Sequence, residues 1–132
     1  MIEMKLYEYM RELLKQTPTT FVRYKYNEIS WDSRLVGILG PRGIGKSTMI
    51  LQRIKNTPEN HSLYITADNI YFADHKLFDL ADKFVKEGGT HLYIDEVHKY
   101  SGWSRELKLM YDMHVSVSAM QPFFLSLCLL PL

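Results

Sequence analysis

The sequence is poor in cysteine: Cys128 is the only one among 132 residues. A single cysteine excludes an internal disulfide framework and is typical of a protein from a reducing compartment. The first residues, Met1 to Lys5, contain no apolar signal-peptide core, so we expect cytoplasmic residence. Neither sign of charge dominates, because 16 basic and 15 acidic residues leave a net charge of +1. Bulk electrostatics therefore give no support to a nucleic-acid or membrane partner.

The sequence also lacks the spacing of a histidine–cysteine metal site and the length of a membrane span. Its five histidines form no close ligand pair, so we expect them to be ordinary surface or loop residues. The apolar run from Ala119 is shorter than the roughly 20 residues that cross a bilayer, and Pro122 and Pro131 interrupt it. What is present is 46% hydrophobic residues, enough for one domain with a substantial core.

A glycine-rich segment between a predicted strand and a predicted helix is the strongest signal in the chain. It fits the phosphate-binding pattern G-x-x-x-x-G-K-[ST], called Walker A, without a mismatch; its residues are Gly40, Pro41, Arg42, Gly43, Ile44, Gly45, Lys46, Ser47 and Thr48. Glycines let the backbone approach a phosphate closely, and successive N–H groups at a helix N-terminus form a concavity that suits an anion. We expect Lys46 to reach the β- and γ-phosphates of a nucleoside triphosphate and the Ser47 hydroxyl to bind Mg²⁺.

Strands and helices alternate along the chain, which predicts an α/β fold. Apolar runs predict three strands, near 34–39, 61–66 and 91–94. Helical periodicity and stop signals predict four helices, over 2–16, 47–56, 77–87 and 104–112. Right-handed crossovers then give a parallel sheet with helices on both faces, a three-layer core preceded by an N-terminal helix. Ligands of such sheets bind at the carboxyl ends of the strands, where the glycine-rich loop lies.

Two acidic residues follow the third predicted strand. Asp95 and Glu96 come directly after the apolar run Leu92-Tyr93-Ile94, the arrangement called Walker B. We expect Asp95 to hold Mg²⁺, usually through water, because this ion keeps much of its hydration shell. Glu96 is expected to orient and polarise the attacking water, so that Glu96 and Lys46 are the predicted catalytic residues. The acidic pair is a weak signal by itself and a strong one downstream of a complete phosphate-binding pattern.

The segment 21–33 mixes aromatic and basic residues and leaves two interpretations open. Tyr24, Tyr26 and Trp31 stand near Arg23 and Lys25, an interleaving that occurs in proteins that contact RNA or DNA. The interpretation that we favour is a strand or loop packed on the edge of the domain.

Three segments together resemble a known family. The loop at 40–48 is similar to the family's GPRxxGKST loop, and the segment from Tyr93 to Tyr100 is similar to its hhDEhHKY segment. The segment Trp103-Ser104-Arg105-Glu106-Leu107-Lys108 then resembles its W…ELK helix. On these motifs the chain resembles the bacterial and archaeal AAA+-type P-loop ATPases over roughly residues 1–113.

The resemblance implies a P-loop NTPase core with ATP as ligand, Mg²⁺ as cofactor and hydrolysis as activity. It also implies which residues act: Gly45, Lys46, Ser47 and Thr48 at the nucleotide, and Asp95 and Glu96 at the metal and the water. Self-association into a dimer or ring is a further expectation from the family. The resemblance supplies no cellular role.

Beyond residue 113 the chain departs from that family. Its members continue into a fourth core strand and an arginine-bearing lid, whereas no lysine or arginine follows Lys108 here. We interpret the end of the chain as the product of a frameshift or premature stop. The alternatives are a remodelled last strand and a membrane-seeking tail. The alternating pattern of residues 115–118 is typical of a strand. The chain then divides into a lead-in at 1–33, an ATPase core at 34–113 and an apolar tail at 114–132, with the C-terminal part of the fold missing.

Three functions stay open from the sequence. The first is Mg²⁺-dependent ATP hydrolysis, with ATP preferred over GTP because the guanine-reading Asn/Thr-Lys-x-Asp motif does not occur. The second is a nucleotide-binding module with little turnover, since a missing arginine can cost about 10³–10⁵ in rate; Arg42 and Arg105 are candidate substitutes. The third is a nucleic-acid-associated interaction protein that uses residues 21–31, a partner that the charge does not support. We expect no membrane association.

Overall fold

One parallel sheet organises the computed structural model, which describes residues 4–20, 24–40, 45–115 and 123–129. Within these residues the strands follow the order β1-β4-β3-β2, and they are β1 (Leu35–Leu39), β2 (Ser62–Thr66), β3 (His91–Asp95) and β4 (Phe124–Leu129). The α-helices are α1 (Met4–Gln16), α2 (Tyr24–Glu28), α3 (Lys46–Asn56), α4 (Leu77–Lys86) and α5 (Trp103–Met110). The α/β class and the parallel sheet that the sequence predicts are therefore confirmed.

The strand β4 comes last along the described chain and lies in the middle of the sheet. It pairs in parallel with β1, where Ile38 is opposite Cys128, and with β3, where Ile94 is opposite Leu127. Residues 124–129 form a strand, as the interpretation of a remodelled last strand expects, and this pairing does not test the interpretation of a frameshift or premature stop. The alternating run begins at Val115, which closes a π-helical segment, Tyr111–Val115, and its remaining residues, 116–118, lie outside the described part of the chain.

Side chains from neighbouring strands meet in register because the sheet is parallel. Tyr64 on β2 is opposite Tyr93 on β3, and Thr66 is opposite Asp95. Side chains alternate across a strand, so these four residues share one face of the sheet. The helices α1 and α3 contact each other, and so do α4 and α5. Both faces of β3 are covered, which leaves Asp95 only 4% exposed.

The helix α3 carries the end of the glycine-rich loop into the core. Its buried positions include Met49, Ile50 and Ile54, whose spacing puts them on one side of the helix. Thr57 ends the helix: its main-chain N–H donates to the carbonyl of Ile54, and its hydroxyl donates to that of Arg53 at 2.7 Å. The sequence prediction of a helix over 47–56 is confirmed with one residue added at the start.

The strand β1 forms one edge of the sheet and is covered on one face only. Val36 and Ile38 are buried, whereas Leu35 and Leu39 on the opposite face are 39% and 60% exposed. An open space of about 300 Å³ lies beside this strand, lined by residues 28–30 and 36–39 and by Met49. This space reaches the start of the glycine-rich loop, since Gly40 directly follows β1.

The aromatic and basic segment before β1 forms a short helix where we expected a strand or a loop. The helix α2 is followed by a turn in which the Trp31 indole N–H donates to the main-chain carbonyl of Tyr26 at 3.0 Å. The Trp31 ring lies 6.5 Å from the Tyr93 ring, and the Arg53 guanidinium lies over it at 5.7 Å. Indole packing against the core and the local hydrogen bond stabilise the turn, which sequence periodicity alone does not reveal. Residues 21–23 lie outside the described part of the chain.

Candidate active site

The two ends of the glycine-rich loop are described, and its centre is not. Gly40 and Gly45 bracket the loop, while Pro41, Arg42, Gly43 and Ile44 lie outside the described residues. Gly45 has φ of +81°, a left-handed conformation that glycine adopts without strain, and it is the N-cap of α3. A left-handed residue at this point turns the chain into the helix, so that the first N–H groups of α3 point back toward the loop.

The first turn of α3 presents the polar side chains of the predicted site. Lys46 is only 8% exposed, and its ammonium donates to the main-chain carbonyl of Gly40 at the other end of the loop. Ser47 points toward the sheet, where its hydroxyl donates to the Oδ2 atom of Asp95. Thr48 lies on the exposed side of the helix. The fold therefore brings Lys46 and Ser47 to the carboxyl ends of the strands, and it does not bring the Thr48 side chain there.

Asp95 receives three hydrogen bonds from three different elements. Its Oδ2 atom accepts from Ser47 and from the Tyr64 hydroxyl, the latter at 2.6 Å. Its Oδ1 atom accepts from the main-chain N–H of Glu96 at 2.9 Å. A carboxylate with both oxygens engaged by donors is held in one orientation.

Tyr64 is a residue of this site that the sequence analysis missed. Its side chain is 4% exposed, and burial, followed by the negative charge of Asp95, raises the pKa of its hydroxyl. The hydroxyl therefore stays protonated and acts as a donor to the carboxylate. A signal for it exists in the sequence, because a polar side chain in the middle of the apolar run Leu63-Tyr64-Ile65 needs a buried partner.

Glu96 has a different environment from its neighbour Asp95. It is the only non-glycine residue with positive φ in the described part of the chain, at +54°. Its side chain is 23% exposed, and its Oε2 atom lies 3.2 Å from the Nε2 atom of His98, which is 22% exposed. The left-handed backbone turns the Glu96 side chain out of the strand direction, and His98 contacts it there. His98 thus has a specific neighbour at this site, where the sequence predicted an ordinary surface or loop histidine.

Cys128 belongs to the buried surroundings of the acidic pair. Its side chain is 1% exposed on β4, and burial, followed by the charge of Asp95, raises the pKa of its thiol. The thiol is therefore kept protonated, as is usual for a buried structural cysteine.

The oxygen donors at the end of β3 fit Mg²⁺ in kind and in arrangement. This ion takes oxygen ligands and is usually held by one or two protein groups while it keeps several waters. The Ser47 hydroxyl and the Asp95 carboxylate meet directly, on two elements that are 48 residues apart in sequence. No group of three or more His, Cys, Asp and Glu side chains that could hold a metal ion occurs among the described residues. The donor set therefore suits a hydrated ion bound together with a ligand, rather than a closed protein cage.

Of the two candidate arginines, the structure describes Arg105 and not Arg42. Arg105 lies on α5 with its side chain exposed, as the sequence analysis expected for the outer face of that helix. Arg42 falls in the centre of the loop, outside the described residues.

Comparison with known proteins identifies the family of the chain. A family model described as the AAA domain matches residues 32–124, more than two thirds of the chain and all the described residues of the candidate site. No curated protein matches the chain. In the part of the chain that the structure describes, no helix has both the length and the apolar character to cross a bilayer. AAA domains generally bind ATP, usually with Mg²⁺, and often assemble into oligomers. The match, together with the parallel sheet, assigns this chain to the AAA domain family.

Proposed function

We propose that this chain binds ATP and hydrolyses it in the presence of Mg²⁺. The observation that carries the proposal is the hydrogen bond from Ser47 to Asp95. It joins the helix that follows the glycine-rich loop to the strand that ends in the acidic pair. Phosphate-binding and metal-binding groups are useful for phosphoryl transfer only when they face the same small volume, and this contact brings them to it.

The residues around the loop bind the phosphates in this proposal. The backbone N–H groups of Gly45 and of the first turn of α3 would contact the phosphates, helped by the partial positive charge of the helix N-terminus. Lys46 supplies the ammonium: its bond to the Gly40 carbonyl keeps it at the loop, where a γ-phosphate oxygen is a stronger acceptor. Thr48 contributes through its main chain, since its side chain is on the exposed side of α3.

Ser47 and Asp95 would hold Mg²⁺, Ser47 directly and Asp95 through water. When bound, the ion neutralises charge on the phosphate oxygens. Asp95 is prepared for this role because its two oxygens are already oriented by three donors. Little reorganisation is then needed when the ion arrives, which favours binding.

Glu96 is the residue that we propose to orient the attacking water. It stands on a left-handed backbone directly after Asp95, and its side chain is 23% exposed, whereas a fully buried side chain could not contact a water that enters the site. His98 contacts the carboxylate at 3.2 Å, which helps to fix its orientation toward the water.

The purine base would occupy the space of about 300 Å³ beside β1. This space combines the apolar side chains of Ile29, Val36 and Met49 with main-chain groups of the turn after α2. Apolar walls with a few polar groups are typical of sites for flat heterocycles. Its position next to Gly40 allows one nucleotide to place its base there and its phosphates in the loop.

Titration with ATP and GTP, with Mg²⁺ and with EDTA, followed by a phosphate-release assay, tests the proposal. We expect Mg²⁺-dependent binding of ATP and its turnover. Lys46→Ala should weaken binding by roughly 10–100-fold because one charge-assisted contact to phosphate is lost. Lys15→Ala is the matched control, since Lys15 is 73% exposed on α1 and should bind as the wild type does. A folded sample without magnesium-dependent affinity for any nucleoside triphosphate would refute the function.

The second candidate is a nucleotide-binding module with little turnover. The exposed position of Arg105 favours it, because an arginine at the γ-phosphate is worth about 10³–10⁵ in rate. The same titration separates the two: tight Mg²⁺-dependent binding with phosphate release no faster than in buffer would favour the module.

A further inference from the structure

Tyr64 connects the acidic strand to an element that takes no part in the glycine-rich loop. It lies on β2, opposite Tyr93, and its hydroxyl reaches diagonally across the β2–β3 pair to the Oδ2 atom of Asp95 at 2.6 Å. Its main-chain N–H donates to the Sδ atom of Met10 on α1 at 3.3 Å. The backbone of Tyr64 is therefore held by a contact with α1, its side chain is buried, and its hydroxyl is held by the carboxylate.

The three donors to Asp95 differ in what they depend on. Ser47 belongs to the first turn after the glycine-rich loop, so its position follows whatever the loop binds. The N–H of Glu96 follows the left-handed turn at that residue. Tyr64 alone comes from the sheet, and both its backbone and its ring are buried. The Tyr64 hydroxyl is thus the donor whose position is independent of both turns.

We propose that Tyr64 is a positioning residue for the metal: its hydroxyl fixes the Asp95 carboxylate in the orientation that a Mg²⁺ ion bound with nucleotide uses. This inference rests on the proposed function, because it assigns Asp95 to the metal. The hydroxyl occupies one lone pair of Oδ2 and leaves the others on that carboxylate for Ser47 and for water on the ion. Groups that orient a metal-binding side chain typically change metal affinity by 10–100-fold when they are lost.

The substitution Tyr64→Phe removes the hydroxyl and keeps the ring. We expect about tenfold weaker binding of Mn²⁺, a spectroscopic substitute for Mg²⁺, to the protein saturated with ADP. The affinity for ADP in EDTA should equal that of the wild type, because no part of that binding involves the carboxylate. The measurement is the electron paramagnetic resonance signal of free Mn²⁺ during a titration, which requires no turnover.

Tyr93→Phe is the matched control. Tyr93 is 2% exposed, lies directly opposite Tyr64 on the same face, and its hydroxyl interacts with the Arg53 guanidinium. Its substitution removes a hydroxyl from an equally buried tyrosine without touching Asp95. We expect Mn²⁺ affinity equal to that of the wild type, which separates loss of a buried hydroxyl from loss of this particular contact.

Each other outcome overturns a defined part of the argument. Equal Mn²⁺ affinity in Tyr64→Phe and the wild type would remove Tyr64 from the metal site, and tighter binding would make its hydroxyl a competitor of the ion. If Tyr64→Phe does not fold while Tyr93→Phe does, the Tyr64 hydroxyl is required for folding and not for positioning the metal. A wild type with no magnesium-dependent affinity for any nucleoside triphosphate would refute the proposed function itself, a result visible before any variant is made.

Discussion

The end of strand β3 and the turn that follows it differ although their acidic residues are adjacent in sequence. Asp95 ends a regular strand, is 4% exposed and accepts three hydrogen bonds. Glu96 begins the turn in a left-handed conformation, is 23% exposed and contacts one imidazole. A fixed carboxylate suits a metal ion, whereas a partly accessible one suits a water molecule that must enter and react. Two carboxylates that are adjacent in sequence thus stand in different environments, because the backbone that carries them differs.

The largest expected effect is the loss of ATP turnover when Glu96, and not Asp95, is substituted. Glu96→Gln should lower the rate of phosphate release by about 10²–10³, or roughly 3–4 kcal/mol, because the amide cannot polarise the attacking water. Mg²⁺-dependent ATP affinity should be retained, since Asp95 is untouched. Parallel phosphate-release and calorimetric titrations measure both quantities. Loss of affinity as large as the loss of rate would mean that the two acids share one task.

The next largest effect is on the Mg²⁺ dependence of ATP binding when Asp95, at the end of β3, is substituted. Asp95→Asn removes the charge that would face the ion and offers an amide where two hydroxyls donate. We expect the gain in ATP affinity that Mg²⁺ provides to fall by roughly 10–100-fold, while affinity in EDTA changes little. The titrations are made at two metal concentrations. An unchanged gain with Mg²⁺ would place the ion on other groups.

A smaller effect should appear in stability at the turn. Glu96→Gly should be more stable to urea than Glu96→Ala by about 1 kcal/mol, because only glycine adopts positive φ without steric cost. Gly102→Ala is the matched control, because it places alanine at a positive φ where the chain has glycine. Gly102 has φ of +81° and open space where a Cβ would lie, so this substitution should lower the free energy of unfolding by a similar amount. Equal stability of the two Glu96 variants would show that the turn relaxes when the side chain is removed.

The smallest effect concerns the imidazole beside Glu96. His98→Ala should reduce turnover by about fivefold, on the order of 1 kcal/mol, since the carboxylate loses one contact that orients it. Nucleotide affinity should stay at the wild-type value. His75→Ala, at a histidine that contacts Asp74 and is 45% exposed, provides the comparison. Equal rates of phosphate release for the two histidine variants would show that His98 does not orient the Glu96 carboxylate and that the backbone does.

Much of the fold follows from local patterns. The strands β1, β2 and β3 and the helices α3, α4 and α5 fall within a residue or two of the predicted positions, because each has one clear period of apolar residues and an explicit stop signal. The placement of β4 does not follow from such patterns. An apolar run in the sequence does not show which strands it pairs with. In the sheet β4 lies between β1 and β3, which are more than 50 residues apart in sequence.

The predicted site was defined by motifs, and its supporting residues come from tertiary packing. Asp95 and Ser47 stand at positions that a motif names, and the structure brings them into contact. We predicted no functional role for Tyr64 or His98 from the sequence. The Tyr64 contact depends on the β2–β3 register, and the His98 contact depends on a left-handed turn at Glu96. Neither is visible before the chain is folded.

The central place of β4 has a consequence for how the molecule is made. As the chain leaves the ribosome, the strand before the phosphate loop and the strand before the acids appear early, yet they have no hydrogen bonds to each other and must wait for residues 124–129. Closing such a distant contact is slow compared with forming a local one. A nascent chain that has not yet released this stretch therefore has both the glycine-rich loop and the acidic pair, and it lacks the strand that aligns them.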